Sequence, residues 1–208
     1  IDHRAPMTPT VRNPAFQNRP FATGLVMGAL WSMMLGYMFP RNEYKIVVVG
    51  LDNAGKTTTL YKLHLGEVVM TQPTVGSNVE EVKYKNLTFE MWDLGGQQNL
   101  RPSWATYYAN ANAVVMVIDS TDRGRVSIIK DELNKLLQHE ALSSACLLVF
   151  ANKQDLKDAM TAAELTQALS LHSIKDHNWH IQTCCALTGE GLLEGLGWIS
   201  SVLKREEK

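Results

Sequence analysis

"GLDNAGKTTTL", residues 50–60, follows the apolar run "KIVVV" (45–49) and leads into a segment of helical character. Gly50 and Gly55-Lys56-Thr57 stand at the spacing G-x-x-x-x-G-K-[ST]. Between a strand and a helix, that spacing makes a phosphate loop. Its glycines let backbone N–H groups turn towards phosphate oxygens, and the helix N-terminus adds its positive end. Lys56 is placed to neutralise the β- and γ-phosphates, and the Thr57 hydroxyl to ligate Mg²⁺. "KIVVV" is β-branched and apolar throughout, as a strand buried on both faces must be. This stretch predicts an α/β fold around a nucleoside triphosphate, and does not say which one.

Outward from it, the apolar pattern switches repeatedly between the strand and helix periods. Strands are predicted over 79–84 and 87–93, joined at Lys85-Asn86 as a hairpin, and over 113–119, 145–151 and 179–186. Helices are predicted from near Thr57, and over 126–139, 162–169 and 191–204. Such alternation implies right-handed crossovers and a mostly parallel six-stranded sheet with helices on both faces. Ligands of these sheets sit at the carboxyl ends of the strands, so chemistry is expected in the loops that follow them.

Three further loops after strands carry it, and a fourth precedes the second strand. "ANKQD" follows the fifth strand; the Asp155 carboxylate could accept from guanine N1–H and the exocyclic amine, with Asn152 on the other edge of the base. "CALTG" follows the sixth strand and would offer the Ala186 N–H to guanine O6. GTP or GDP is therefore the expected ligand. "WDLGGQQ" follows the third strand, where Asp93 can reach Mg²⁺ through water and Gly95-Gly96 can approach a γ-phosphate. Gln97 can then orient an attacking water. In "QPTVGSN", Thr74 is the hydroxyl expected to close over Mg²⁺ and γ-phosphate. Both loops would gain contacts only with the third phosphate, which is the physical requirement for a switch.

The whole chain of 208 residues fits one domain with a short appendage. A net charge of −1 gives no electrostatic case for nucleic acid as a partner. Three cysteines, Cys146, Cys184 and Cys185, make no even disulfide framework and point to a reducing setting. No apolar run reaches the roughly 18–20 residues needed to span a bilayer. Residues 1–26 hold four prolines, three arginines and one acid without a helix or strand period. They read as a disordered leader, non-native or an upstream extension, with a transit peptide as the functional alternative.

"GLDNAGKT", "PTVGSNVEE", "MWDLGGQ", "FANKQD" and "CCALTGEGL" together resemble the ADP-ribosylation factor (Arf) family of small GTPases, from about Met27 to the C-terminus. Ser77, where Arf proteins proper usually carry Phe, and "HSIKDHNWHIQ" look like the Arf-like subgroup numbered five. The resemblance implies a nucleotide site of Gly50, Asp52, Asn53, Ala54, Gly55, Lys56, Thr57, Thr58, Gly96, Asn152, Lys153, Asp155, Cys185 and Ala186. It implies Mg²⁺ held by Thr57, Thr74 and Asp93, with Gln97, Lys56 and Thr74 in catalysis. It also implies Golgi and endosomal trafficking, exchange factors, activating proteins and effectors through 71–108. A GTP-driven register shift of the hairpin 79–92, releasing an N-terminal helix to the membrane, belongs to the same expectation. Unlike many Arf-like proteins, this chain has Gln98 rather than an acid after Gln97. Asp52, near the γ-phosphate, is expected to slow hydrolysis. No arginine is evident in cis, so an activating protein is expected to supply one, worth roughly 10³–10⁵ in rate. The alternative is a GTP-reading binding module in which hydrolysis hardly matters.

Met27-Gly28 begins M-G-A-L-W-S, the myristoylation pattern with Gly28 as acceptor. It stands where Arf proteins begin, so 27–40 is expected to be an amphipathic membrane helix and 41–208 the GTPase domain. One myristoyl chain gives a partition constant of only about 10⁴ M⁻¹, so a second signal is required. Basic residues nearby are few, which leaves the apolar Leu30, Trp31, Met33, Met34, Leu35, Met38 and Phe39 to supply it. His172, His177 and His180 lack the companions of a zinc set. Trp92, Trp104, Tyr107 and Tyr108 read equally as core or as an effector patch.

Overall fold

The computed structural model describes residues 42–206. The leader expected over 1–26, the helix expected over 27–40 and Gly28 lie outside the described residues. Six strands form one sheet in the order β2-β3-β1-β4-β5-β6. They are β1 (Asn42–Val49), β2 (Ser77–Tyr84), β3 (Leu87–Leu94), β4 (Ala113–Asp119), β5 (Cys146–Asn152) and β6 (Trp179–Thr183). Every neighbouring pair is parallel except β2 with β3. That pair is a hairpin closed at Lys85-Asn86, with Tyr84 opposite Leu87 and Lys85 at φ 55°. Among the described residues four α-helices cover the sheet: α1 (Lys56–Leu65), α2 (Val126–Leu137), α3 (Ala162–Ala168) and α4 (Leu192–Glu206).

The apolar runs explain the layering. In β4 and β5 every residue is buried, because helices press on both faces. One core joins Val47, Val49, Met116 and Val149 to Ile129 and Leu133 of α2 and Leu165 of α3. The other joins Ile46, Val48, Phe89 and Phe150 to Leu60 of α1 and Leu196 and Ile199 of α4. Each fully buried side chain of this kind contributes about 1.5–3 kcal/mol. α3 begins on a capping box, in which the Glu164 N–H donates to Thr161 Oγ1 (3.2 Å) and the Thr161 N–H to Glu164 Oε2 (2.8 Å). None of the described helices is long and apolar enough to cross a membrane.

Two of the differences from the sequence reading bear on the site. The last strand stops at Thr183 rather than reaching Ala186. Beyond it the Cys184 N–H still bonds Ala151 O (3.0 Å), but the Cys185 N–H turns to Glu190 O (3.0 Å). These apolar residues are buried because they seal a loop, not because they extend the sheet. Between β3 and β4 a 3-10 helix, Arg101–Tyr107, appears where no helix was predicted. Pro102 opens it, and seven residues with one buried anchor, Trp104, carry no 3.6 period to read.

Candidate functional site

The loops after β1, β3, β5 and β6 meet at one rim of the sheet. Gly55 caps α1 at φ 92°, and a Cβ there would lie 2.4 Å from Asn152 Nδ2, so only glycine fits. Lys56 is buried and donates from Nζ to Leu51 O (2.9 Å), inside its own loop. Burial pulls its ammonium below the usual lysine range, against the pull of Asp93 and Asp52. A cavity of about 290 Å³ opens beside it, bounded by the 52–58 loop, residues 71–74, Gly96 and Gln97. Asp52, Asn53, Gly55, Lys56, Thr57 and Thr58 all line this one cavity, and Gln97 is exposed at its edge. Ala54 is buried behind them.

Thr57, Thr74 and Asp93 come from three separate segments and meet. Thr57 Oγ1 donates to Asp93 Oδ2 (2.5 Å) and lies 2.9 Å from Thr74 Oγ1, which itself donates to Asp93 Oδ2 (3.2 Å). Asp93 is fully buried, and its Oδ1 has no hydrogen-bond partner. Burial raises this carboxyl above its ordinary range, although Thr57, Lys56 and Thr74 all favour its charged form. Two hydroxyls and a carboxylate are the hard oxygen donors that Mg²⁺ takes beside phosphate and water. The bare, buried Oδ1 is the atom a divalent charge would satisfy, so these residues fit the ion.

Gly96 lies hard against the phosphate loop. Its carbonyl accepts from the Asp52 N–H (3.1 Å), and a Cβ on it would sit 2.5 Å from Asp52 N, Gly50 O and Leu51 C. Asp52 is held by two arginines that the sequence reading did not place. Arg125 Nη1 lies 2.9 Å from Asp52 Oδ1, and Arg101 Nη2 lies 3.7 Å from the same oxygen. The Arg101 side chain, 9% exposed, is packed beside the loop and bonds Gly96 O (3.0 Å) rather than lining the cavity.

At the other end, Asn152 works as a staple rather than standing free. Its Nδ2 donates to Ala54 O (2.9 Å), and its Oδ1 accepts from the Ala186 N–H (2.9 Å). The N–H expected to face guanine O6 is thus turned onto Asn152. Lys153 reaches Asp119 Oδ2 (2.6 Å); burial opposes the ionised form of that carboxyl, but Lys153 and Thr121 hold it below its usual range. The exposed Asp155 takes the Cys185 thiol at Oδ1 (3.3 Å). Of the four aromatics, Trp104 and Tyr108 are core, while Trp92 and Tyr107 are half-buried with ring centroids 5.7 Å apart. His177 lies against Leu142 O (3.2 Å) and His180 stacks on Trp198 (5.3 Å), so these two serve local packing.

Comparison with known proteins agrees with this arrangement. Residues 30–203 match the ADP-ribosylation factor family. Mouse ADP-ribosylation factor-like protein 5A is 57% identical over 181 residues, covering 87% of this chain and 98% of that protein. Dictyostelium discoideum ADP-ribosylation factor-like protein 5 is 57% identical over 180 residues, covering 86% and 96%. Among solved structures, the Arl6 BBS3 small GTPase from Trypanosoma brucei, with bound nucleotide analogue GppNp, superposes with a TM-score of 0.74 at 35% identity, covering 79% of this chain and 99% of that one. A P-loop sheet of this strand order, at this identity over nearly the full length of its relatives, leaves one assignment: the chain belongs to the ADP-ribosylation factor family, in its Arf-like 5 subgroup, as a regulatory small GTPase that binds GTP or GDP with Mg²⁺ and hydrolyses GTP.

Proposed function

We propose that this GTPase cycles from the cytoplasm onto Golgi, trans-Golgi or endosomal membranes and recruits effectors there for vesicle traffic. The observation that carries the switch is the meeting of Thr57, Thr74 and Asp93. Thr74 belongs to the loop before β2 and Asp93 to the strand before Gly96-Gln97. Anything that binds their oxygens tethers both loops to α1 at once.

Each residue then has a task. The amides of residues 50–58 cradle the phosphates at the α1 N-terminus, with Lys56 as counter-charge. Mg²⁺, when bound, supplies charge compensation between the phosphates and the Thr57, Thr74 and Asp93 oxygens. Gln97, at the cavity edge, orients the water for in-line attack. Asp155 presents its carboxylate to guanine, Cys185 fixes that carboxylate, and Asn152 ties the base loops to the phosphate loop. Exchange factors, activating proteins and effectors engage residues 71–108, where Trp92 and Tyr107 remain half-buried. Membrane attachment rests on the M-G-A-L-W-S pattern at 27–32, with myristate on Gly28 and the apolar residues after it.

Liposome flotation tests the membrane part. The chain started at Met27 is co-expressed with an N-myristoyltransferase and loaded with GDP or with a non-hydrolysable GTP analogue. Flotation only with the analogue is the expected result. Equal flotation in both states, or in neither with nucleotide confirmed bound, would refute it.

A further inference from the structure

We propose that Arg101 is a positioning residue for GTP hydrolysis, fixing Gln97 by holding the peptide before it against the phosphate loop. This rests on the reading of Gln97 as the water-orienting residue.

The argument begins with the backbone on either side of Gln97. The Gly95 carbonyl accepts from Trp104 Nε1 (2.9 Å), and the Gly96 carbonyl accepts from Arg101 Nε (3.0 Å). Two successive peptides are thus gripped by side chains of one short helix, Arg101–Tyr107. After Gln97, its own carbonyl accepts from the Leu100 N–H (2.9 Å), which closes the turn leading into that helix. The Gly96 carbonyl also takes the Asp52 N–H (3.1 Å), so both its lone pairs are used, one by the phosphate loop and one by Arg101.

Arg101 is suited to this because its guanidinium is a fork with fixed geometry. While Nε serves Gly96 O, Nη2 faces Asp52 Oδ1 at 3.7 Å, so one side chain spans a carbonyl of the catalytic loop and a carboxylate of the phosphate loop. Arg125 holds the same carboxylate oxygen, with Nη1 on Oδ1 (2.9 Å), and its Nη2 reaches the Asp52 carbonyl (3.3 Å). Arg125 is itself anchored on Asp122 Oδ2 (2.5 Å) at the start of α2. Asp52 is therefore a fixed post for Arg101. The half-buried carboxylate is compensated by two cations, although it lines the cavity where phosphate charge must enter. Lysine cannot reproduce this, since one ammonium does not reach along both directions of the fork.

The test is single-turnover phosphate release from the full chain loaded with radiolabelled GTP at saturating Mg²⁺, with GDP dissociation measured in parallel. The variants are Arg101→Gln, Arg101→Lys, Gln97→Leu and the double variant Arg101→Gln/Gln97→Leu. Arg101→Gln is expected to slow release about tenfold or more, as misplacement of a catalytic group does, with GDP dissociation changed less than about twofold. Arg101→Lys should recover only part of the loss. On a Gln97→Leu background, Arg101→Gln should add less than about a further twofold, because its effect runs through Gln97. Release by Arg101→Gln at the wild-type rate, while Gln97→Leu is slow, overturns the role of Arg101 alone. Wild-type rates for both overturn the reading of Gln97 as well. Full recovery by Arg101→Lys refutes the fork. Additive losses in the double variant, or GDP release accelerated in step with the hydrolysis defect, reduce Arg101 to a general structural part and overturn the proposal.

Discussion

Replacing Gly96 by alanine should separate holding the nucleotide from acting on it. The added Cβ would lie 2.5 Å from three backbone atoms, Asp52 N, Gly50 O and Leu51 C, where ordinary contact starts near 3.4 Å. None of these atoms can rotate aside, because all belong to the main chain of the phosphate loop. The loop carrying Gly96 must therefore retreat by roughly 1 Å, a misplacement that can cost about 10²-fold in rate when a catalytic group moves with it. It also breaks the Asp52 N–H bond to Gly96 O (3.1 Å) and lengthens the Arg101 bond to the same oxygen. The residues that cradle the phosphates and face the base stay where they are. Gly96→Ala should hydrolyse GTP about 10²-fold more slowly in a single-turnover assay, while GDP dissociation, followed with a fluorescent analogue, changes only a few-fold. Hydrolysis within threefold of wild type would refute the steric argument. Loss of GDP affinity as large as the loss of rate would show that the phosphate loop, not its neighbour, gives way.

Asp93 offers a pH test. Burial raises its carboxyl above the ordinary range, so the folded state binds that proton more tightly than the unfolded chain. Below the unfolded value there is no cost; as pH rises through the folded value, ionising the buried group costs stability. In EDTA, denaturant titrations across pH should show Asp93→Asn gaining on wild type as pH rises, and losing that gain at acid pH; with Mg²⁺ and GDP only wild type should be further stabilised by the ion. Asn152→Ala removes bonds to Ala54 O and from the Ala186 N–H, and should speed GDP dissociation about tenfold or more, since each buried polar group left unpaired costs about 1–3 kcal/mol. Trp104→Phe leaves Gly95 O without its indole donor and should lower unfolding free energy by a similar 1–3 kcal/mol, about what one buried bond of this kind commands, in a urea titration. Thr161→Ala opens the capping box of α3 and should cost about 1 kcal/mol in the same assay, with hydrolysis unchanged.

Which parts of the molecule could be read in advance follows from how far each signal travels along the chain. β4 and β5 are unbroken apolar runs because both their faces are covered, and a continuous run is legible in any window. The phosphate loop is legible for a different reason: its glycines, lysine and threonine must lie within eight positions, since one strand-to-helix turn supplies them all. Thr74 and Asp93 are legible by order alone, one in a loop and one near the end of a strand that both had to face the first. The end of β6 is not legible, because Cys184, Cys185 and Ala186 are as buried as strand residues while serving a loop. Hydrophobicity reports burial, and here burial and strand part company. Asn152 reads from the sequence as facing the base, since an asparagine in a polar loop shows its chemistry but not its partners. Its amide is divided between Ala54 and Ala186, 98 and 34 positions away.

The arginines show the limit most clearly. Arg125 lies 73 positions from Asp52 and Arg101 sits in a segment without helical period, so neither pairing leaves a spacing to detect. What the sequence did contain was a carboxylate, Asp52, in a loop built to receive phosphate. A negative charge there is costly unless something compensates it. The structure answers with two guanidinium groups, one of them nearly buried, and through Arg101 ties that compensation to the peptide that leads into Gln97. A charge that looks misplaced in a binding loop thus predicts hidden partners, and finding them connects the restraint on the phosphate loop to the placement of the catalytic one.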